Sequence, residues 1–230
     1  MKMKTKTILF AILTVLSSCT INQKISYPTK DIKGNQNQKL SALVLDIEEF
    51  SDHRKNNPDN EILFTSSKQT TIDRKSRCIN SEKNYKNETV TLQLTRMLAE
   101  HMNSRNTFSK VVINNKDTAD YYIKADLRSF FGKQAFSTAA AVGAQFGLIG
   151  ALATAGVKSD GKITFEINDI KIYNKKNQIV KTIDSFKREY QGDFPADAYC
   201  WCIFRNVNDK LKDYYSELIS TVETEIEKER

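Results

Sequence analysis

Four cysteines, two histidines and one cluster of carboxylates are the residues of this chain whose types and spacing could do chemistry. A thiol can pair in a disulfide, hold a metal, cycle in redox chemistry or carry a covalent group. Cys200-Trp201-Cys202 has the C-x-C spacing of a metal or redox motif. Against a metal, the only histidines are His53 and His101, and neither stands near a cysteine in sequence. The C-x-C stretch opens a predicted C-terminal helix, where residues two apart point about 200° apart. Cys200 falls on the apolar stripe of that helix, which makes Cys202 the freer partner for Cys78. Three readings stand: a structural disulfide between Cys78 and Cys202, inert buried thiols, and metal or redox chemistry. Asp46, Glu48 and Glu49 gather near a predicted strand end. Paired carboxylates can hydrolyse glycosides, but adjacent acids at such a place read as a solvated edge. His101 lies beside the apolar face of a predicted helix and reads as a satisfied helix residue, not a ligand. The chain has no H-E-x-x-H, G-x-S-x-G, P-loop or G-x-G-x-x-G pattern. It reads as a non-enzymatic protein, with no catalytic or metal-binding residue assigned.

The first 18 residues supply an address. Lys2, Lys4 and Lys6 precede an uncharged apolar run from Ile8 to Leu16. That is a secretory signal peptide, and the run is shorter than the roughly 20 residues a stable span needs. Leu16-Ser17-Ser18-Cys19 resembles the lipobox of bacterial lipoproteins. The resemblance implies cleavage before Cys19, a diacylglycerol on its thiol and an acyl chain such as palmitate on the new N-terminus, with no other cofactor. Several acyl chains make a durable membrane anchor where one would not. By the same resemblance, Thr20 in place of an aspartate points to the outer membrane. The non-acidic Thr20-Ile21-Asn22-Gln23-Lys24 points to its periplasmic leaflet. Residues 20–38 are polar and read as a tether. The expected organisation is a signal peptide over 1–18, a lipidated tether over 19–38 and one domain over 39–230.

The formal charge of +7 includes the three signal lysines, and their removal leaves about +4. The remaining Lys and Arg are interleaved with Asp and Glu, without the clustered basic face of a nucleic-acid binder. No nucleic-acid partner is expected.

The elements that must position these residues follow from hydrophobic period. Leu40 to Phe50 alternates as a strand. Residues 51–86 form a polar insert with one apolar island, Ile62-Leu63-Phe64. Asn87 to Arg105 is a predicted helix with Val90, Leu94, Met97, Leu98 and Met102 on one face, and Asn87 suits its N-cap. Phe108 to Ile113 is a short strand. Ala119 to Phe131 has the alternation of a half-buried antiparallel strand. From Lys162 to Tyr173 the buried parity switches between Ile167 and Ile170, which predicts a bulge. Asn174 to Asn177 is turn chemistry, and Gln178 to Tyr190 returns as the hairpin partner. Gly192 and Pro195 end that strand, with Pro195 at the first position of a long amphipathic helix. The helix stripe runs Cys200, Phe204, Val207, Leu211, Tyr214 or Tyr215, Leu218, Val222 and Ile226. Its acidic last turn opposes the helix dipole and predicts fraying. The fold class is α+β, a mainly antiparallel sheet with two amphipathic helices packed on one face.

Residues 135–157 carry no charge, in a chain that is 27% charged. Gly143 and Gly147 make a G-x-x-x-G pair and Gly150 follows, a spacing that lets another helix backbone approach. Four readings stand: packing on its own domain, a partner or self-association surface, insertion as one hairpin of an oligomeric barrel, and a lone helical span.

The element order resembles a loose group of small envelope lipoproteins: auxiliary lipoproteins of lipid-transport ABC systems, the curli-secretion pore lipoproteins and the N-terminal domain of the Tol-system propeller protein. Its carriers are a first strand like LSALVLDIEEF, a helix like VTLQLTRMLAEHM, a short strand like FSKVVI, and Ala119-Asp120-Tyr121 before an alternating strand. The resemblance implies a lipid-anchored scaffold that contacts envelope proteins in assembly or transport, with a homo-oligomer open. The alternative is a subunit of a pore-forming secretion complex with 135–157 inserted. A lipid-carrying module is a third class.

Overall fold

Three long strands organise the sheet. The computed structural model describes residues 23–32, 34, 39–54, 77–80, 85, 88–147, 156–197 and 200–230. In chain order the elements are β1 (Val44–Ile47), β2 (Ser51–Asp52), β3 (Arg77–Ile79), α1 (Val90–Arg105) and β4 (Lys110–Ile113). They continue with β5 (Tyr121–Ala135), α2 (Thr138–Gln145), β6 (Lys158–Asn174), β7 (Ile179–Pro195) and α3 (Cys202–Glu229). The sheet order is β4-β1-β5-β6-β7. β5, β6 and β7 are antiparallel neighbours. The opposite edge of β5 is shared in succession by β1 and β2, both parallel to it, and by antiparallel β3. The fold is therefore α+β with a mixed, mostly antiparallel sheet.

Alternation sets which face is buried. Ile123, Ala125 and Leu127 of β5 point to the core with Ile163, Phe165 and Ile167 of β6. The parity switch is real: the β5–β6 register shifts there, Asp169 adopts φ 48°, and Ile170 and Ile172 return to the core. Both long helices cover this one face. Leu98 and Met102 of α1 meet Leu218, Ile219 and Val222 of α3 over Ile167 and Ile170. Tyr214 and Tyr215 of α3 are fully buried, and each hydroxyl donates to a backbone carbonyl, Phe186 O at 2.7 Å and Leu94 O at 3.0 Å. Burying these rings therefore leaves no orphaned hydroxyl, which would cost on the order of 1–3 kcal/mol. Gly132 allows a close approach: a Cβ there would stand 2.5 Å from Val207 Cγ2 of α3.

Several element ends differ from expectation. The α1 cap is Thr89, whose hydroxyl accepts from Leu92 N at 3.2 Å; Asn87 lies outside the described residues. Most of the polar insert, Ile62-Leu63-Phe64 included, also lies outside them. Pro195 does not start a helix. It is the last residue of β7, an edge strand where a missing N–H is tolerated. Gly192, at φ 146°, sits inside that strand. α3 stays helical to Glu229, and three of the four acids near its end have partners: Arg105 for Glu223 at 2.9 Å, Lys181 for Glu225 at 3.3 Å and Lys39 for Glu227 at 3.1 Å.

The expected tether over 19–38 is also shorter than its composition suggests. From Gln23 the chain packs into the seam between α1 and α3, with Ile25 and Tyr27 buried. Gln93 Oε1 accepts from Ile25 N at 3.1 Å, and Asn208 Nδ2 donates to Lys24 O at 3.0 Å. Two buried side chains alternating with Lys24 and Ser26 are hidden in a polar average.

Candidate functional site

Among the described residues, no helix covers the other face of the sheet. The alternation that buries one set of β5, β6 and β7 side chains turns the other set outward. A groove of about 610 Å³ lies across them, lined by Arg128, Phe131 and Lys133 of β5, Lys162, Thr164 and Glu166 of β6, and Lys187 and Glu189 of β7, with His53 at its margin. Its charges are interleaved and paired. Lys162 reaches Glu189 at 2.8 Å, and Lys187 reaches Glu189 at 3.4 Å and Glu166 at 4.0 Å. Asp126 lies between Arg128 at 3.2 Å and His53 at 3.7 Å. The hydrogen bond from Lys162, with further help from Lys187, holds the Glu189 carboxyl below its usual range. Farther along the same face Tyr122 stacks on Tyr173 with centroids 4.6 Å apart, and Lys124 pairs with Glu48 at 2.9 Å. These groups neutralise one another along a surface instead of converging on a point where a reacting atom could sit. The chemistry they offer is recognition of a polar surface bearing both charges.

The carboxylates near the end of β1 separate in three directions. Asp46 is fully buried and accepts from Asn115 N at 2.8 Å; burial raises its carboxyl above the usual range. Glu48 faces Lys124, and Glu49 accepts from the hydroxyls of Thr89 at 3.0 Å and Thr91 at 2.6 Å. Glu49 thus staples the start of α1 to the end of β1. His101 is fully buried, with Tyr27 Oη 2.7 Å from Nδ1 and Ser216 Oγ 3.4 Å from Nε2. Burial, with Arg105 and Lys212 adding to it, lowers its pKa to about 4. It is a satisfied core residue. Among the described residues, no three His, Cys, Asp or Glu side chains group to hold a metal ion.

The disulfide joins Cys78 to Cys200, not to Cys202. The helical-spacing argument fails because α3 starts at Cys202. Cys200 precedes it with φ 61°, and its side chain turns inward to meet β3. Among the described cysteines Cys202 is the free thiol, half-buried, and burial together with the Asp197 carboxylate pushes its pKa up to about 12. Asp197 also accepts from Trp201 N at 3.0 Å and from Cys202 N, so it caps the start of α3. A second residue set invisible in the sequence ties this end together. Gln134 Nε2 donates to Phe194 O at 2.9 Å and Pro195 O at 2.8 Å, and Asn206 Nδ2 donates to Gln134 Oε1 at 3.1 Å. Side-chain amides give no periodic signal, so nothing in the sequence marks them.

Thr138–Gln145 of the glycine segment forms a short helix, capped by Ser137 accepting from Ala140 N at 3.1 Å. Gly143 is buried, whereas Gly147 stands in open space with φ 64° after the helix has ended. A left-handed glycine is a helix stop, so Gly143 and Gly147 do not line one continuous helical groove. Gly150 lies outside the described residues, as does Cys19. No helix among the described residues is long and apolar enough to cross a membrane.

No family model matches the chain and no curated protein matches it. Among solved structures, it is similar to a Xanthomonas campestris protein of the DUF330 family, at 13% identity and TM-score 0.49, over 86% of this chain and 93% of that one. It is also similar to the PelC dodecamer from Paraburkholderia phytofirmans, at 7% identity and TM-score 0.35, over 75% of this chain and 84% of that one. A neuraminyllactose-binding hemagglutinin homolog from Helicobacter pylori matches at 11% identity and TM-score 0.32, over 89% of this chain and 91% of that one. Similarities of this size assign no activity, partner or assembly to this chain.

Proposed function

We propose that this chain is a non-enzymatic, lipid-anchored envelope protein that holds another envelope protein against the face of its sheet that faces away from α1 and α3. The observation that carries the reading is the mixed-charge groove across β5, β6 and β7. Its ion pairs are solvent-exposed and individually weak. They can exchange partners with an incoming surface at little desolvation cost, which suits a docking face. The lipobox resemblance of Leu16-Ser17-Ser18-Cys19 supports the anchor, and Thr20 supports the periplasmic leaflet of the outer membrane. Assembly or transport through protein contacts is the role that follows, with no nucleic acid and no cofactor beyond the lipid on Cys19.

In-cell photocrosslinking tests it. A photoreactive residue at Thr164 should capture one envelope protein that the same group at Asp209, on the outer side of α3, does not. Charge reversal by Lys162→Glu with Lys187→Glu should abolish that adduct while the protein stays in the membrane fraction. Identical adducts from both positions, or adducts indifferent to the reversals, would refute the docking face.

A second reading, the pore-forming subunit, is favoured by the exposure of Val142 at 53% and Phe146 at 69% within the uncharged stretch. It requires detergent-stable homo-oligomeric rings that conduct in planar bilayers and lose conduction when 135–157 is deleted. A monomer without conductance would exclude it.

A further inference from the structure

The end of the domain at which α3 begins gathers large exposed apolar side chains. Val142, Phe146 and Trp201 are three of the four such residues among the described ones, at 53%, 69% and 39% exposed. Topology brings them together. α2 follows the last residue of β5, Trp201 follows the last residues of β7, and these strand ends share one end of the sheet. That end is held firmly by the Cys78–Cys200 disulfide and by the Gln134–Asn206 hydrogen bond. Exposed apolar side chains that topology places at one end of a braced sheet need an explanation.

The path of the N-terminal segment supplies one. Lys39 pairs with Glu227 at the far end of α3, Tyr27 meets His101 midway, and Lys24 meets Asn208 near the helix start. Gln23 bridges to Tyr85, whose ring packs 5.4 Å from that of Phe204 in the first turns of α3. Read toward the N-terminus, the chain therefore leaves the domain at the end that carries Val142, Phe146 and Trp201. Cys19 lies four residues before Gln23, a reach of at most about 14 Å.

We infer that this end is the membrane-facing end, with Val142, Phe146 and Trp201 seated in the headgroup layer of the phospholipid bilayer that holds Cys19. The inference rests on the reading of Cys19 as lipidated. A tether so short keeps the three side chains at high effective concentration over the bilayer, so individually weak contacts suffice. Trp is suited to that depth, with an apolar body and one polar N–H. The groove on the sheet then faces sideways along the membrane, open to a neighbouring protein.

Trp201 is the only tryptophan in the chain, which makes it the probe. The mature protein, lipidated in cells, is placed on vesicles of phosphatidylethanolamine and phosphatidylglycerol containing lipids brominated either just below the headgroup or at the acyl terminus. The expected result is a blue shift and quenching by the shallow label. Both should be lost in a variant with Val142→Ser and Phe146→Ser that still floats with the vesicles through its lipid. Emission identical to that of the Cys19→Ala protein in buffer, with Cys19 of the wild type acylated by mass spectrometry, would overturn the inference and leave the anchor standing. Quenching mainly by the deep label would overturn it in favour of insertion. An unmodified Cys19 would overturn the anchor itself, and the inference with it.

Discussion

Acidification should weaken this fold through His101. The imidazole is fully buried, its pKa is lowered from 6.5 to about 4, and its two nitrogens face Tyr27 Oη and Ser216 Oγ. Burial keeps the Tyr27 phenol protonated, so its O–H donates to Nδ1 and the remaining ring proton points toward Ser216. A second proton has no acceptor without breaking the Tyr27 bond. A base whose folded pKa lies below its unfolded value binds more protons when unfolded, so stability rises with pH through this group. Its contribution is fully present above about pH 6.5 and lost as pH falls toward 4. Between about pH 7 and pH 4.5 the loss is about 2 kcal/mol, at roughly 1.36 kcal/mol per tenfold difference in proton affinity and allowing for partial solvent screening. The assay is urea unfolding of wild type and His101→Gln across that range. Carboxylates contribute to both proteins equally, so the difference between the two slopes isolates the imidazole. The variant should lose about 2 kcal/mol less than wild type on acidification. Equal slopes would refute the reasoning.

Two further perturbations test the packing. The Cys78–Cys200 bridge closes a sequence separation of 122 residues, for which loop entropy sets an upper bound near 5 kcal/mol and common experience about 2–4. Cys200→Ser should therefore lower the melting temperature by roughly 5–15 °C, while Cys202→Ser changes stability by less than about 1 kcal/mol. Peptide mapping that links Cys78 to Cys202 would contradict the assignment. Gly132→Ala places a methyl 2.5 Å from Val207 Cγ2 and 3.3 Å from Ile203 Cδ1. It should cost about 1–3 kcal/mol in urea unfolding, and an unchanged midpoint would show that α3 yields freely against β5.

Long periodic signals make the main frame legible. The helix period of α1, the alternation of β5 and the parity switch at Asp169 each rest on several side chains in succession, and each is present in the structure. What escapes is short or non-local. β3 has three residues, and it exists because it pairs with Lys133 to Ala135 and is bridged to Cys200. The cysteine pairing differs from expectation because Pro195 is a false start signal for α3; the actual start is set by the Asp197 carboxylate. The groove is invisible for a related reason. Outward-facing Lys, Glu and Thr on three strands are ordinary surface residues until antiparallel register sets Thr164 opposite Glu189, brings Lys162 within reach of that carboxylate and closes them into one face.

The burial of Ile25 and Tyr27 between two helices also sets where mechanical load enters the molecule. Tension applied at the N-terminus would meet Lys24 O and Ile25 N first, and their partners Asn208 and Gln93 stand on α3 and α1 respectively. Pulling is thereby divided between two helical struts, the longer of them about 42 Å by its rise per residue. The hydrogen-bond ladders of β5, β6 and β7 lie outside that line of force. A docked neighbour tugging on the sheet and a membrane tugging on the tether would strain different parts of the domain.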